Sequence, residues 1–180
     1  MREHGWTEVV IKPAVSASAY ATLLVKEETV AQGQQHLDDL LASQDMLMQP
    51  FFPAVIDPGE HSLVFIDGAF THAVRRRPAL GADLSTRMQS VPSQKAPFVP
   101  QLLVPQEEEL HFAQKVLARL SSPILYARVD IVRDENANLR LMEVELVEPG
   151  LWLPLAPSAV ERFADAITKK VADASRSAHL

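Results

Sequence analysis

Residues 124–150 read ILYARVDIVRDENANLRLMEVELVEPG, two apolar runs on either side of a polar DENAN segment. The Asp and Asn residues of that segment favour chain reversal, so 124–133 and 139–147 are expected to form an antiparallel hairpin. Side chains two apart on a strand share a face, which pairs Arg128 with Asp130 and Glu143 with Glu145. With Glu135 facing Asn138 across the turn, Asp130 falls opposite Glu143 and Arg128 opposite Glu145. Three carboxylates and a guanidinium then crowd one patch. One account is a solvated outer face with a cross-strand Arg to Glu pair. The other is a site for a hard cation such as Mg2+, which prefers oxygen ligands. In that case the carboxylates repel and raise one another's pKa until a cation arrives, and neutralising Asp130 is expected to leave the cation-free protein as stable or more stable. Spacing alone leaves both open.

Outward from the hairpin, composition narrows the class. A chain of 180 residues with 47% apolar and 22% charged residues can bury a core as one domain or as two small lobes. Its net charge of -6 argues against phosphate-backbone binding as the main function, since that needs a positive face, so nucleic acid is not an expected partner. No apolar stretch approaches a membrane span and the first residues, MREHGWTEVV, have no signal-peptide core, so no membrane association and a cytoplasmic location are expected. The absence of cysteine excludes disulfides, thiolate metal sites and cysteine nucleophiles.

The remaining elements alternate without a repeat. EVVIK (8–12) and TLLVK (22–26) read as strands joined by a loop of small residues, and 28–43 as a helix, with Gly33 weakening the pattern. MLMQP (46–50) reads as a strand. In HSLVFIDGAFTHAVRRR (61–77) two apolar runs flank Asp67-Gly68, a strong hairpin signal. Residues 78–104 are proline-bearing and aperiodic, expected as a long loop or lid. PQEEELHFAQKVLARL (105–120) has the charge polarity of a helix. The last helix is expected over about 157–175, with Val160, Phe163, Ala164, Ile167 and Val171 on its inner face. His72 reads as a partly buried strand histidine.

Taken in order, VVIKPAVSASAYAT, LMQPFFP, GEHSLVFIDGAFTHAVRRRP, LYARVDIV and LMEVELVEPGLWL resemble the ATP-grasp superfamily, and within it the glutathione-synthetase-like branch, over about residues 6–170. The resemblance implies an α+β body of two lobes with antiparallel sheets, 1–49 and 50–180, holding ATP and Mg2+ between them. It implies that Lys12 reaches the nucleotide phosphates and that the loop with Ser16 and Ser18 closes over them. It places adenine along Gln49, Pro50, Phe51 and Phe52, with Glu60 and Arg75 near the nucleotide. Arg128 and Arg76 are then the catalytic groups that stabilise the transferring phosphoryl group, and Asp130, Glu143 and Glu145 the metal ligands.

The implied reaction is ATP-dependent activation of a carboxylate as an acyl phosphate, then ligation to an amine or another nucleophile, so the expected partners are small carboxylate and amine substrates. A nucleotide-binding module without independent activity and a phosphotransferase are the alternatives. The sequence departs from the superfamily pattern at Glu145, where asparagine is common, at Ala54, where an acidic ribose contact is common, and in 84–100, where Arg87 is present and the usual glycines are absent. The chain also begins almost on the Lys12 strand, so the N-terminal domain usual in the superfamily is expected to be lacking, its place taken by self-association or a partner chain.

Overall fold

The computed structural model describes residues 1–15, 20–78 and 98–177. The chain divides into two compact units; the first runs from Met1 to Pro53, and the second contains Ala54–Arg77 and the chain from Val99 onward. Ser16, Ser18 and Arg87 lie outside the described residues.

The first unit holds a three-stranded antiparallel sheet in the order β2-β1-β3, from β1 (Glu8–Pro13), β2 (Leu23–Lys26) and β3 (Met46–Pro50). Helix α1 (Val30–Leu41) packs on it, and Val9, Ile11, Leu23 and Val25 form the core with Trp6, Leu37 and Met46 against them. Gly33, which weakens α1 on propensity, is its buried contact point: a Cβ there would lie 2.6 Å from Val25 Cγ2. The glycine is required by the close approach of helix to strand.

The second unit holds a five-stranded antiparallel sheet in the order β6-β5-β4-β7-β8. Strands β4 (Glu60–Ile66) and β5 (Ala69–Pro78) are joined at Asp67-Gly68, whose φ values of 49° and 75° put both residues in the left-handed region that a tight hairpin turn needs. Strand β6 (Phe98–Leu103) corrects the expectation of an aperiodic loop through 104. It lies at the sheet edge, the position in a sheet where a proline such as Pro100 is tolerated. Strands β7 (Tyr126–Arg133) and β8 (Leu139–Glu145) complete the sheet.

One face of this sheet presents Leu63, Phe65, Ala73, Ala127, Val129 and Ile131 to helix α2 (Glu107–Leu117), which contributes Ala113, Leu110, Phe112 and Val116. The helix N-terminus is fixed by a capping box in which Glu109 accepts from the Gln106 backbone N–H at 2.9 Å. Helix α3 (Pro157–Ser177) packs near Ile66 through Ala159, Phe163 and Ala166, with Ala156 just before it in the same cluster. The expected inner face is therefore displaced. Val160, Ile167 and Val171 are exposed, because the contact is made by alanines that let the helix approach closely. Among the described residues no helix is long and apolar enough to cross a membrane.

Candidate functional site

Strand alternation sends Glu60, Ser62 and Val64 of β4 to the face opposite α2. Register then aligns Glu60 with Arg76, Ser62 with Asp130, Asp130 with Glu143 and Arg128 with Glu145. Four adjacent strands thus bring six ionisable side chains together.

The pairing of β7 with β8 matches the expectation at the site but reaches it by another route. Near the turn, Ile131 pairs with Leu141 and Arg133 with Leu139; at Asp130 the register shifts, so that Glu143 is its partner and Met142 is the extra residue of a β-bulge. Unbroken alternation would put Leu139, Leu141, Glu143 and Glu145 on one face. The bulge separates them. Leu139 joins the core cluster, and both glutamates turn to the ionisable face. The tip is one residue longer than expected, with the Asp134 N–H donating to the Asn138 carbonyl at 2.9 Å and the Asp134 carboxylate accepting from the Asn136 and Asn138 backbone.

Asp130 is fully buried and sits at the centre. Its Oδ1 accepts from Arg128 Nε at 2.9 Å, and its Oδ2 accepts from an Arg128 terminal nitrogen at 2.7 Å and from an Arg76 terminal nitrogen at 2.6 Å. Arg76 also reaches Glu60 at 2.8 Å and donates from Nε to Ser62 Oγ at 2.9 Å. Arg128 bonds Glu145 as well and lies 3.9 Å from Glu143. Burial pushes the Glu60 carboxyl up to about 7; the charges of Asp130 and Glu143 add to this, against the pull of Arg76 and Arg128. Burial also raises Glu145, with Glu143 and Asp130 adding. Arg128 is held above its usual value because Asp130, Glu145 and Glu143 outweigh the cost of burying its charge.

Four carboxyl groups thus face two guanidiniums, and the raised Glu60 and Glu145 are the carboxyls' response to that imbalance. One oxygen each from Asp130, Glu143 and Glu145 lies within 4.8 Å of the others. An all-oxygen set with uncompensated negative charge suits a hard divalent cation, so these residues fit Mg2+. The expectation that neutralising Asp130 relieves repulsion in the cation-free protein is corrected: both its oxygens are already engaged by arginines.

Beyond β8 the chain folds back over the arginines. Trp152 adopts φ 47°, and the guanidinium carbons of Arg76 and Arg128 lie over its indole at 5.4 and 5.1 Å. The Gly150 carbonyl accepts from Arg128 at 3.4 Å.

The structure does not bring Arg75 into this cluster. Alternation turns it to the other face, where it donates to Gln101 at 2.8 Å, while Arg77 lies 3.7 Å from Asp57. In the first unit Lys12 is half-buried on β1 opposite Leu47, and Gln49 and Pro50 end β3 opposite Val10 and Val9. Phe51 and Phe52 are half-buried, and the Phe51 N–H donates to the Glu8 carbonyl at 3.1 Å. Ser62 and Trp152 are site residues that the sequence reading missed. Ser62 was detectable, two residues from Glu60 on one strand. Trp152 was not, because its place depends on a left-handed backbone conformation outside any strand.

No protein-family model matches the chain. Cycloserine biosynthesis protein DcsG of Streptomyces lavendulae is 26% identical over 171 residues, which cover 91% of this chain and 55% of that protein. The crystal structure of D-cycloserine synthetase DcsG matches with a TM-score of 0.77 at 24% identity, over 94% of this chain and 57% of that one. D-alanine–D-alanine ligase from Bacillus anthracis, complexed with ATP, matches with a TM-score of 0.64 at 15% identity, over 98% and 56%. The ATP-grasp ligase PsnB, complexed with a phosphomimetic variant of its minimal precursor, Mg and ADP, matches with a TM-score of 0.58 at 16% identity, over 92% and 48%. The chain has the fold of the ATP-grasp ligases and spans about half the length of the relatives it matches.

Proposed function

We propose that this chain is the nucleotide-holding body of an ATP-dependent ligase that activates a carboxylate as an acyl phosphate for attack by an amine or another nucleophile. The observation that carries the proposal is the buried Asp130 holding two guanidiniums side by side on a sheet face that also carries Glu143 and Glu145. Phosphoryl transfer asks a protein for positioning and charge compensation more than for a nucleophile of its own. Arg76 and Arg128 would bind phosphate oxygens by exchanging part of their present contacts with the surrounding carboxylates for the incoming phosphate. Glu143 and Glu145, the more exposed carboxylates, would hold Mg2+ together with Asp130. When bound, Mg2+ neutralises charge on the phosphate oxygens. The acyl phosphate would form by attack of a substrate carboxylate oxygen on the γ-phosphorus with departure of ADP, and the amine would then displace phosphate.

From the first unit, Lys12 is proposed as a phosphate contact, and 49–52 as the adenine contact. Acceptor binding is proposed to involve a longer form of the protein or a partner chain, since the matched relatives are about twice this length. Calorimetry with Mg2+ and a nonhydrolysable ATP analogue tests the reading. Binding is expected to require Mg2+, to weaken in the Glu143→Gln, Glu145→Gln double variant, and to weaken in Lys12→Ala. No heat and no thermal shift at millimolar nucleotide would refute it.

A further inference from the structure

The segment that covers the arginines is anchored by a residue that touches neither arginine. His72 lies on β5 opposite Val64 and is buried on the same face as Arg76 and Arg128. Its Nε2 is 2.8 Å from the carbonyl oxygen of Leu151. A carbonyl only accepts, so Nε2 carries a proton and donates it. On the other side of the ring, Nδ1 is 2.9 Å from Thr71 Oγ1. Burial lowers the His72 pKa against the opposing effect of the Leu151 carbonyl, which favours the neutral ring; the Thr71 hydroxyl, in reach of both Nδ1 and the Val64 carbonyl oxygen at 3.1 Å, has one proton to share between them.

Leu151 immediately precedes Trp152, and the backbone there is not one the chain adopts freely. Glu148 and Trp152 both have positive φ, 57° and 47°, a conformation that costs a side-chain-bearing residue on the order of 1 kcal/mol and persists only where surrounding contacts impose it. Two contacts do so here. His72 fixes the Leu151 carbonyl, and the Trp152 carbonyl accepts from the Leu155 N–H at 2.9 Å. The indole between these anchors meets the guanidiniums of Arg76 and Arg128. A guanidinium attracts an aromatic ring through its face and makes hydrogen bonds through its edge. Asp130, with Glu60 and Ser62 on Arg76 and with Glu145 and the Gly150 carbonyl on Arg128, engages the edges and Trp152 takes the faces, which restricts the direction each guanidinium presents.

We infer that His72 and Trp152 are positioning residues for the proposed phosphate site, His72 acting through the Leu151 carbonyl to hold the Trp152 indole against Arg76 and Arg128. The functional half of this inference rests on the cluster being a phosphate site; the structural half, that His72 fixes Trp152, does not. The geometry sets three requirements: an N–H donor at position 72, an aromatic face at position 152, and no direct contact of His72 with the nucleotide phosphates.

The test uses intrinsic fluorescence, since the chain has only two tryptophans, Trp6 and Trp152. In a Trp6→Phe background the emission reports Trp152 alone, and acrylamide quenching together with a titration of Mg2+ and the ATP analogue AMPPNP are measured on the same protein. His72→Leu, which keeps volume and removes the donor, is expected to red-shift the emission, increase quenching and weaken AMPPNP binding roughly tenfold, a change of about 1.4 kcal/mol. His72→Gln, whose amide N–H can replace Nε2–H, is expected to restore both properties most of the way. If His72→Leu matches its parent in quenching and affinity, or if His72→Gln is as impaired as His72→Leu, the inference is overturned. Should His72→Leu lose its cooperative melt, the pair Trp152→Phe and Trp152→Leu decides: affinity near the parent for the first and roughly tenfold weaker for the second supports it, and equal affinities overturn it. Absence of AMPPNP binding in the parent would remove the nucleotide reading, while the quenching comparison would still decide whether His72 holds Trp152.

Discussion

Asp130 is the residue on which the site's chemistry turns, and its surroundings reverse a simple charge argument. Three carboxylates in a sequence suggest repulsion, yet Asp130 is fully buried between Arg76 and Arg128 and accepts from both. Removing its charge leaves two guanidiniums short of compensation. Asp130→Asn is therefore expected to destabilise the metal-free protein by roughly 2 kcal/mol or more, read as a lower urea midpoint. A midpoint equal to or above that of the parent would contradict this account. Glu60 gives a second test at this scale. Its folded-state pKa is raised from 4.5 to about 7, so the protonated form is favoured on folding; the stability it contributes is present below about pH 4.5 and is lost as the pH rises through about 7. The parent minus Glu60→Gln stability difference should fall across that window and level off above it, by about 1–3 kcal/mol in all. A pH-independent difference would show that folding does not raise the Glu60 pKa. Legibility at this scale followed charge: Arg128, Asp130, Glu143 and Glu145 stood out as polar residues in apolar runs, whereas Ser62 and Trp152 carried no such contrast. Arg75 and Arg76 could not be separated by composition, since only the strand's phase decides which of two adjacent arginines turns to the site.

Helices and strands were legible where periodicity and turn chemistry agreed. The β4–β5 hairpin was marked by Asp67-Gly68, and the β7–β8 hairpin by its Asn and Asp residues. Strand β6 was hidden because Pro100 argues against strand, and only its edge position makes the proline tolerable. The phase of α3 is hidden in the sequence because its large apolar residues do not mark the buried face: the sheet contact uses Ala159 and Ala166 beside Phe163. Phe163→Ala is expected to cost about 3 kcal/mol, and Val160→Glu or Ile167→Glu less than about 0.5 kcal/mol, in thermal or urea melts. The opposite ordering would restore the phase read from the sequence. Gly33 supplies a sharper case. Gly→Ala in a helix usually stabilises, but here the added methyl meets Val25 at 2.6 Å, so Gly33→Ala should lower stability by about 1–3 kcal/mol. Val25→Ala in the same chain should recover part of that loss, and failure to do so would place the strain elsewhere.

At the scale of the whole molecule, the order of five short segments identified the ATP-grasp fold even though each was only moderately distinctive, and the structural matches agree on that fold. The acceptor of the proposed reaction was not legible in these residues, and the chain spans about half the length of the relatives it matches. A ligand that binds only the folded state stabilises it by mass action, about 2.7 kcal/mol at a hundred times its dissociation constant. Mg2+ with AMPPNP at that excess is expected to raise the melting temperature by roughly 5–10 °C, and EDTA to return it to the ligand-free value. A shift that survives EDTA would mean that the carboxylates do not serve a cation. The bulge at Met142 bears on how such chains are compared. Loss of that one residue would leave Leu141 opposite Ile131 and Glu143 opposite Asp130, a regular ladder with every carboxylate in place. The hairpin can thus gain or lose a residue over evolutionary time without disturbing the pair. An alignment anchored on the DENAN tip will misplace Glu143 and Glu145 by one position in any descendant that has lost it, whereas one anchored on Pro149-Gly150 will not.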